Sequence, residues 1–151
     1  MTQSPAAGKP AKHNTMSDIS NKHKHLEFIQ ATISRMSGNL FLLKGWSITL
    51  IAALFALAAK DTNRAFIVVA FFPLIIFWFL DGYFLSMERR FRSLYEHVRQ
   101  LREEDIDFSM NTEPYKNEPR NQWIQTLFSR TLFPYYFILA LLMILLSIFL
   151  H

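Results

Sequence analysis

The sequence contains no cysteine and only four glycines. Without thiols there is neither a disulfide framework nor a thiolate metal site. With so little glycine there is no loop that could cradle a phosphate on backbone N–H groups. The HExxH zinc signature and the surroundings of a nucleophilic serine or cysteine are absent too. Histidine does not fill the gap. His23 and His25 are two apart, which points them to different faces of a helix and is poor metal-ligand spacing. No metal site and no cofactor is therefore expected. The opening stretch MTQSPAAGKPAKHNT also lacks the apolar run of a cleavable signal peptide. Its small, polar and Pro-containing character predicts a disordered tail over 1–19, with Met16 as an alternative start.

What is abundant is apolar side chain: 51% of residues are hydrophobic and 15 are Phe, clumped and not dispersed. Three runs, 39–59, 65–87 and 132–150, each approach the ~20 residues with which a helix crosses roughly 30 Å of hydrocarbon. The predicted fold class is an all-α membrane protein of one domain. Lys9, Lys12, Lys22, Lys24 and Arg35 precede the first run, and eight further basic residues, Arg89 to Arg130, lie between the second and third. Only Lys60 and Arg64 lie between the first and second. By the positive-inside rule the N-terminus is cytoplasmic and the C-terminus outside. Arg89, Arg90 and Arg92 sit beside the second run in MERRFR. Such a cluster reads as a topology anchor on anionic lipid headgroups or, more sharply, as a phosphate contact to nucleic acid.

Periodicity carries the most information. Leu26, Ile29, Ile33, Met36, Leu40 and Leu43 recur at alternating spacings of three and four, and Phe84, Met87, Phe91, Leu94, Val98 and Leu101 do the same. Both are heptad seams continuous with the neighbouring apolar run. They predict a helical hairpin over 20–103, with cytosolic stalks at 20–38 and 88–103 and a short turn at Lys60–Arg64. Each helix would be about 40 residues, or roughly 60 Å, long. In an antiparallel pair turning there, residues whose numbers add to about 125 lie at equal depth. Lys44 should then face Asp81, with Trp46 and Tyr83 at the same interfacial level. The pair has two readings. It is either a gating latch or ion path at membrane depth, or an interfacial pair in which a snorkelling lysine fixes the register.

Ala52, Ala56 and Ala59 line up at spacings that let membrane helices approach closely, and Pro73 in the second run is a kink or hinge candidate. Phe28 and Tyr95 are left over on the stalk as candidates for a second interface, so a homo-oligomer is expected. Residues 104–121 read as a cytosolic loop or partner-binding segment. Residues 122–151 read as an interfacial turn, with Trp123, Ile124, Leu127 and Phe128 on one face, leading into a third transmembrane helix. Two stalks and a loop offer no cleft for an organic substrate, so no catalysis is expected. The partners expected are the lipid bilayer, further copies of the chain, and a cytosolic protein or ribonucleoprotein regulator, with direct nucleic-acid contact as a further option.

The combination of HLEFIQATISRMSGNLFLLKGW, the Ala-rich ALFALAAKD and FWFLDGYFLSMERRFRSLYEHVR resembles the small helical membrane effectors of bacterial anti-phage systems. Among these are the SLATT-type two-transmembrane effectors and those encoded with retron reverse transcriptases. The resemblance covers residues 22–102. It implies a protein of the bacterial inner membrane that stays inactive until infection, then oligomerises or rearranges to permeabilise the membrane. No catalytic residue is implied. The alternatives are a membrane anchor that recruits a cytosolic partner and a small ion or proton transporter acting through Asp81.

Overall fold

The computed structural model describes residues 15–61 and 64–149. Every regular element among them is helical: α1 (Thr15–Asp61), α2 (Arg64–Gln100), three single-turn 3-10 helices at Glu103–Asp105, Glu113–Tyr115 and Pro119–Asn121, α3 (Trp123–Leu127) and α4 (Leu132–Phe149). Residues 15–19 belong to α1 and not to the predicted tail, whose remainder lies outside the described residues. Neither Pro nor Gly occurs between Thr15 and Gly38, so nothing in the backbone stops helix propagation there. The predicted turn falls partly on Thr62 and Asn63, which also lie outside the described residues. α2 continues through Pro73.

α1 and α2 pack against each other with opposite chain directions. At one end Lys22 Nζ donates to the carbonyls of Leu101 and Arg99, at 2.6 and 3.3 Å. Ile29 and Ile33 share a core there with Leu94, Val98 and Ile106. At the other end Ile51 and Phe55 share a second core with Ala70 and Leu74, to which Leu127, Leu132, Tyr136 and Met143 are added from α3 and α4. The seam residues of both stalks are buried or half-buried.

The alanine stripe does not pack as expected. Ala52, Ala56 and Ala59 are exposed, whereas Ile51, Phe55 and Ala58 are buried. The physical reason is continuity of the seam. Steps of three and four from Leu40 through Lys44 and Ser47 reach Ile51, Phe55 and Ala58, and a straight helix pair keeps one face inward along its length.

Two of the helices are long and apolar enough to cross a membrane, over Asn21–Lys60 and Val68–Gln100, and Leu132–Ile148 is a shorter apolar helix. In the most apolar windows of the two long helices only 22% and 28% of residues are buried. A core helix of a soluble protein would be mostly covered. Here Phe41, Trp46, Leu57, Val68 and Phe72 face outward.

The connection from 101 to 122 folds back onto the stalk. Ile106 enters the core that Ile29 and Ile33 share with Leu94 and Val98. The 107–113 stretch is organised by three successive short-range bonds: the Asp107 carboxylate accepts from Ser109 N–H, Ser109 Oγ from Asn111 N–H, and Asn111 Oδ1 from Glu113 N–H. Short polar side chains favour such turns over helix.

Candidate functional site

Lys44 on α1 and Asp81 on α2 meet, with Nζ 2.7 Å from Oδ2. The Asp81 side chain is fully buried, while that of Lys44 retains 31% exposure. The same Oδ2 accepts a hydrogen bond from the Tyr136 hydroxyl of α4 at 3.0 Å. Tyr135, next along α4, donates from its hydroxyl to the Lys44 carbonyl at 3.3 Å, and its ring lies 5.8 Å from Nζ. Buried Ser47 donates to that same carbonyl at 2.9 Å. A carboxylate out of water needs both charge and hydrogen-bond compensation. Here α1 supplies the charge and α4 the hydroxyl, so one side chain links three helices. Asp81 Oδ1 has no partner among the described protein groups.

At the level of Asp81, α3 is keyed into α2. Thr126 Oγ1 donates to the Gly82 carbonyl at 2.8 Å. Trp78 Nε1 donates to the Leu127 carbonyl at 3.2 Å, and Trp123 Nε1 donates back to the Phe79 carbonyl at 3.3 Å. Gly82 is buried under the Leu127 side chain, which a Cβ at position 82 would strike. Of the face predicted to lie on the membrane, Leu127 instead turns inward, while Trp123, Ile124 and Phe128 stay exposed. The open backbone at Gly82 is what admits Leu127.

Arg90 is set about 100° from Arg89 around α2, as consecutive helical positions must be, so the arginine cluster does not present a single face. Arg89 Nη1 donates to the Arg120 carbonyl at 2.8 Å. Arg92 pairs with buried Glu88 one turn away, at 2.6 Å. Arg90 is half-buried and its Nε has no partner among the described groups. Contrary to the expectation that no cleft exists, a cavity of about 630 Å³ opens between the α2 stalk and the 113–121 segment. Its floor is a polar knot. Asn121 Nδ2 reaches Glu118 Oε2, Ser93 Oγ and the Tyr115 carbonyl, at 2.8, 3.0 and 3.0 Å. Ser86 Oγ donates to the Asn121 carbonyl at 2.5 Å. Burial, then the charges of Glu118 and Asp107, raise the Tyr115 pKa above its ordinary value.

His25 is buried with Nε2 unpartnered among the described groups, edge-on to Phe108 at 5.5 Å between ring centroids. His23 is exposed. No group of three His, Asp or Glu side chains suited to a metal occurs among the described residues. Phe28 is largely exposed and Tyr95 packs partly on the core of Ile29, Ile33, Leu94 and Val98. No repeat in the sequence pattern connected Tyr135 and Tyr136, at the start of α4, to Asp81. The available signal was depth, since both start the third apolar run from the side on which Lys44 and Asp81 lie. Comparison with family models, curated proteins and solved structures finds no match.

Proposed function

We propose that the chain is a triggered effector of the bacterial inner membrane that permeabilises or depolarises it, the role implied by its resemblance to anti-phage effectors. In this reading α1 and α2 form a transmembrane hairpin whose far ends make a cytosolic stalk, and α4 is a third spanning helix. The N-terminus is cytoplasmic and the C-terminus outside. The assembly is a homo-oligomer under a cytosolic protein or ribonucleoprotein regulator, and no reaction is assigned to it.

The observation that carries this reading is the sharing of Asp81 by Lys44 and Tyr136. One group on α2 holds α1 and α4 at a single level, so its release frees both contacts together. Breaking a buried pair by removing one partner costs roughly 3–5 kcal/mol. A regulator that discriminates the two arrangements about 10⁴-fold supplies a similar amount.

Inducible expression in a bacterium, with membrane potential followed by a voltage-sensitive dye, tests the reading. Depolarisation that Asp81→Ala or Lys44→Ala changes is the expected result. A potential undisturbed at high expression, alone and with the neighbouring genes supplied, defeats it. That outcome favours the second reading, a membrane anchor that recruits a cytosolic partner, for which the exposed Phe28 on the stalk and Phe108 and Met110 on the segment folded against it are the supporting observation.

A further inference from the structure

We propose that the cleft between α2 and the 113–121 segment binds a phosphate-bearing ligand, gripped by Arg89 and Arg120. The site is independent of the effector reading. At about 630 Å³ the cleft falls within the roughly 300–1,000 Å³ of small-molecule sites.

Arg89, Arg92 and Arg120 all line the cleft. Arg89 and Arg92 are three positions apart and share a face of α2. Arg120 arrives from the Pro119–Asn121 turn, which the Asn121 hydrogen bonds pin to Ser86 and Ser93. Arg92 is committed to Glu88, but Arg89 and Arg120 form no ion pair among the described residues. Arg89 spends one Nη1–H on the Arg120 carbonyl. That bond fixes its planar fork and leaves other donors of the five for a ligand.

Two like charges held together at a partly buried site are an unfavourable arrangement, which an anion between them reverses. Burial and the charge of Arg120 lower the Arg89 pKa from its ordinary value, against an opposing pull from Glu88. Neither acid on the wall is ion-paired with Arg89 or Arg120 among the described residues. Glu96 pairs with Arg99 at 2.7 Å, and Glu118 Oε2 accepts from Ser93 at 2.7 Å and from Asn121 at 2.8 Å.

Guanidinium forks match phosphate oxygens, which accept charge-assisted, often bidentate hydrogen bonds. Beside the forks, His97 and Tyr115 present tilted rings 6.1 Å apart, a surface for the organic part of the ligand. Two sources fit this chemistry. Arg89 is two positions beyond Met87 at the end of the apolar run, within reach of an anionic lipid headgroup. A soluble phosphorylated compound such as a nucleotide enters from the open side.

The test uses the full chain, its variants Arg89→Gln and Arg120→Gln, and Arg130→Gln as a control outside the cleft. In neutral detergent, ATP and inorganic pyrophosphate are titrated calorimetrically. In nanodiscs of mixed phosphatidylcholine and phosphatidylglycerol, retained lipid is counted by native mass spectrometry. Binding in the first arm that weakens on the order of tenfold in Arg89→Gln or Arg120→Gln, and not in Arg130→Gln, assigns a soluble ligand. Selective phosphatidylglycerol retention lost in the same variants assigns the headgroup. Arg120 is an exposed loop residue, so its variant remains informative where Arg89→Gln does not fold. No binding in either arm, or binding unchanged by both substitutions, overturns the proposal.

Discussion

The Tyr136 hydroxyl donates to Asp81 Oδ2 across 55 positions of sequence, at 3.0 Å and in a buried setting. It approaches the same oxygen that Lys44 reaches at 2.7 Å. Charge therefore comes to the carboxylate from one helix and a hydroxyl from another. The two contributions can be separated by substitution.

The first prediction is an asymmetry. Asp81→Ala leaves Lys44 unpaired, but Lys44 keeps 31% exposure and can extend its ammonium to water. Lys44→Met strands a fully buried carboxylate, which costs roughly 3–5 kcal/mol when its partner is removed. Lys44→Met should therefore lower the thermal unfolding midpoint more than Asp81→Ala does in detergent. Equal losses, or the reverse order, would show that Asp81 keeps adequate compensation without Lys44.

A second prediction separates the two tyrosines. Tyr136→Phe removes a hydrogen bond to a charged group, worth about 1.5–3 kcal/mol. Tyr135→Phe removes a longer, part-buried bond to a neutral carbonyl at 3.3 Å, worth about 1 kcal/mol or less. Unfolding midpoints should rank wild type, Tyr135→Phe, Tyr136→Phe from highest to lowest. A Tyr136→Phe protein as stable as wild type would show that the α4 contact contributes nothing at Asp81.

The helix pairing was legible because it rests on repetition. Seams at Ile29, Ile33, Leu94 and Val98 bury one face of each long helix, and the resulting register brings Lys44 to Asp81. The alanine stripe was misread because small residues suggest close packing only where the helix face turns inward. Extending the stalk seam through Ser47 to Ile51 and Phe55 would have decided which face that is. The α3 key and the Asn121 knot were not legible. Ser86 meets the Asn121 carbonyl 35 positions away, and Thr126 meets the Gly82 carbonyl 44 positions away. Single polar contacts between an irregular segment and a helix leave no period in the sequence.

Glycine 82 gives a third prediction, by contrast with Gly38. A Cβ at Gly38 meets nothing within 4 Å, so Gly38→Ala should stabilise by about 0.8–1 kcal/mol through helix propensity. At Gly82, also inside a helix, the same propensity gain is opposed by the added methyl running into Leu127, an overpacking that typically costs about 1–3 kcal/mol and outweighs it. Gly82→Ala should therefore destabilise, and Gly82→Ala/Leu127→Ala should recover part of the loss in a double-mutant cycle. If Gly82→Ala is additive with Leu127→Ala, the two residues do not share that space.

Phe108 supplies the last prediction. Its φ of 54° is left-handed backbone, a region that costs a residue with a Cβ roughly 1–2 kcal/mol. Strain of this size persists where surrounding contacts enforce it. Here the enforcing contacts are the edge-on packing of Phe108 against buried His25 and the chain of short bonds that follows at Ser109 and Asn111. Phe108→Gly and Phe108→Ala both lose the ring, but only Gly is freed from the backbone penalty. Phe108→Gly should therefore unfold at a higher temperature than Phe108→Ala, with wild type compared alongside to measure the ring contact. Were the alanine variant the more stable of the two, position 108 would not hold the left-handed conformation in solution, and the turn that seats Phe108 on His25 would have to be formed differently.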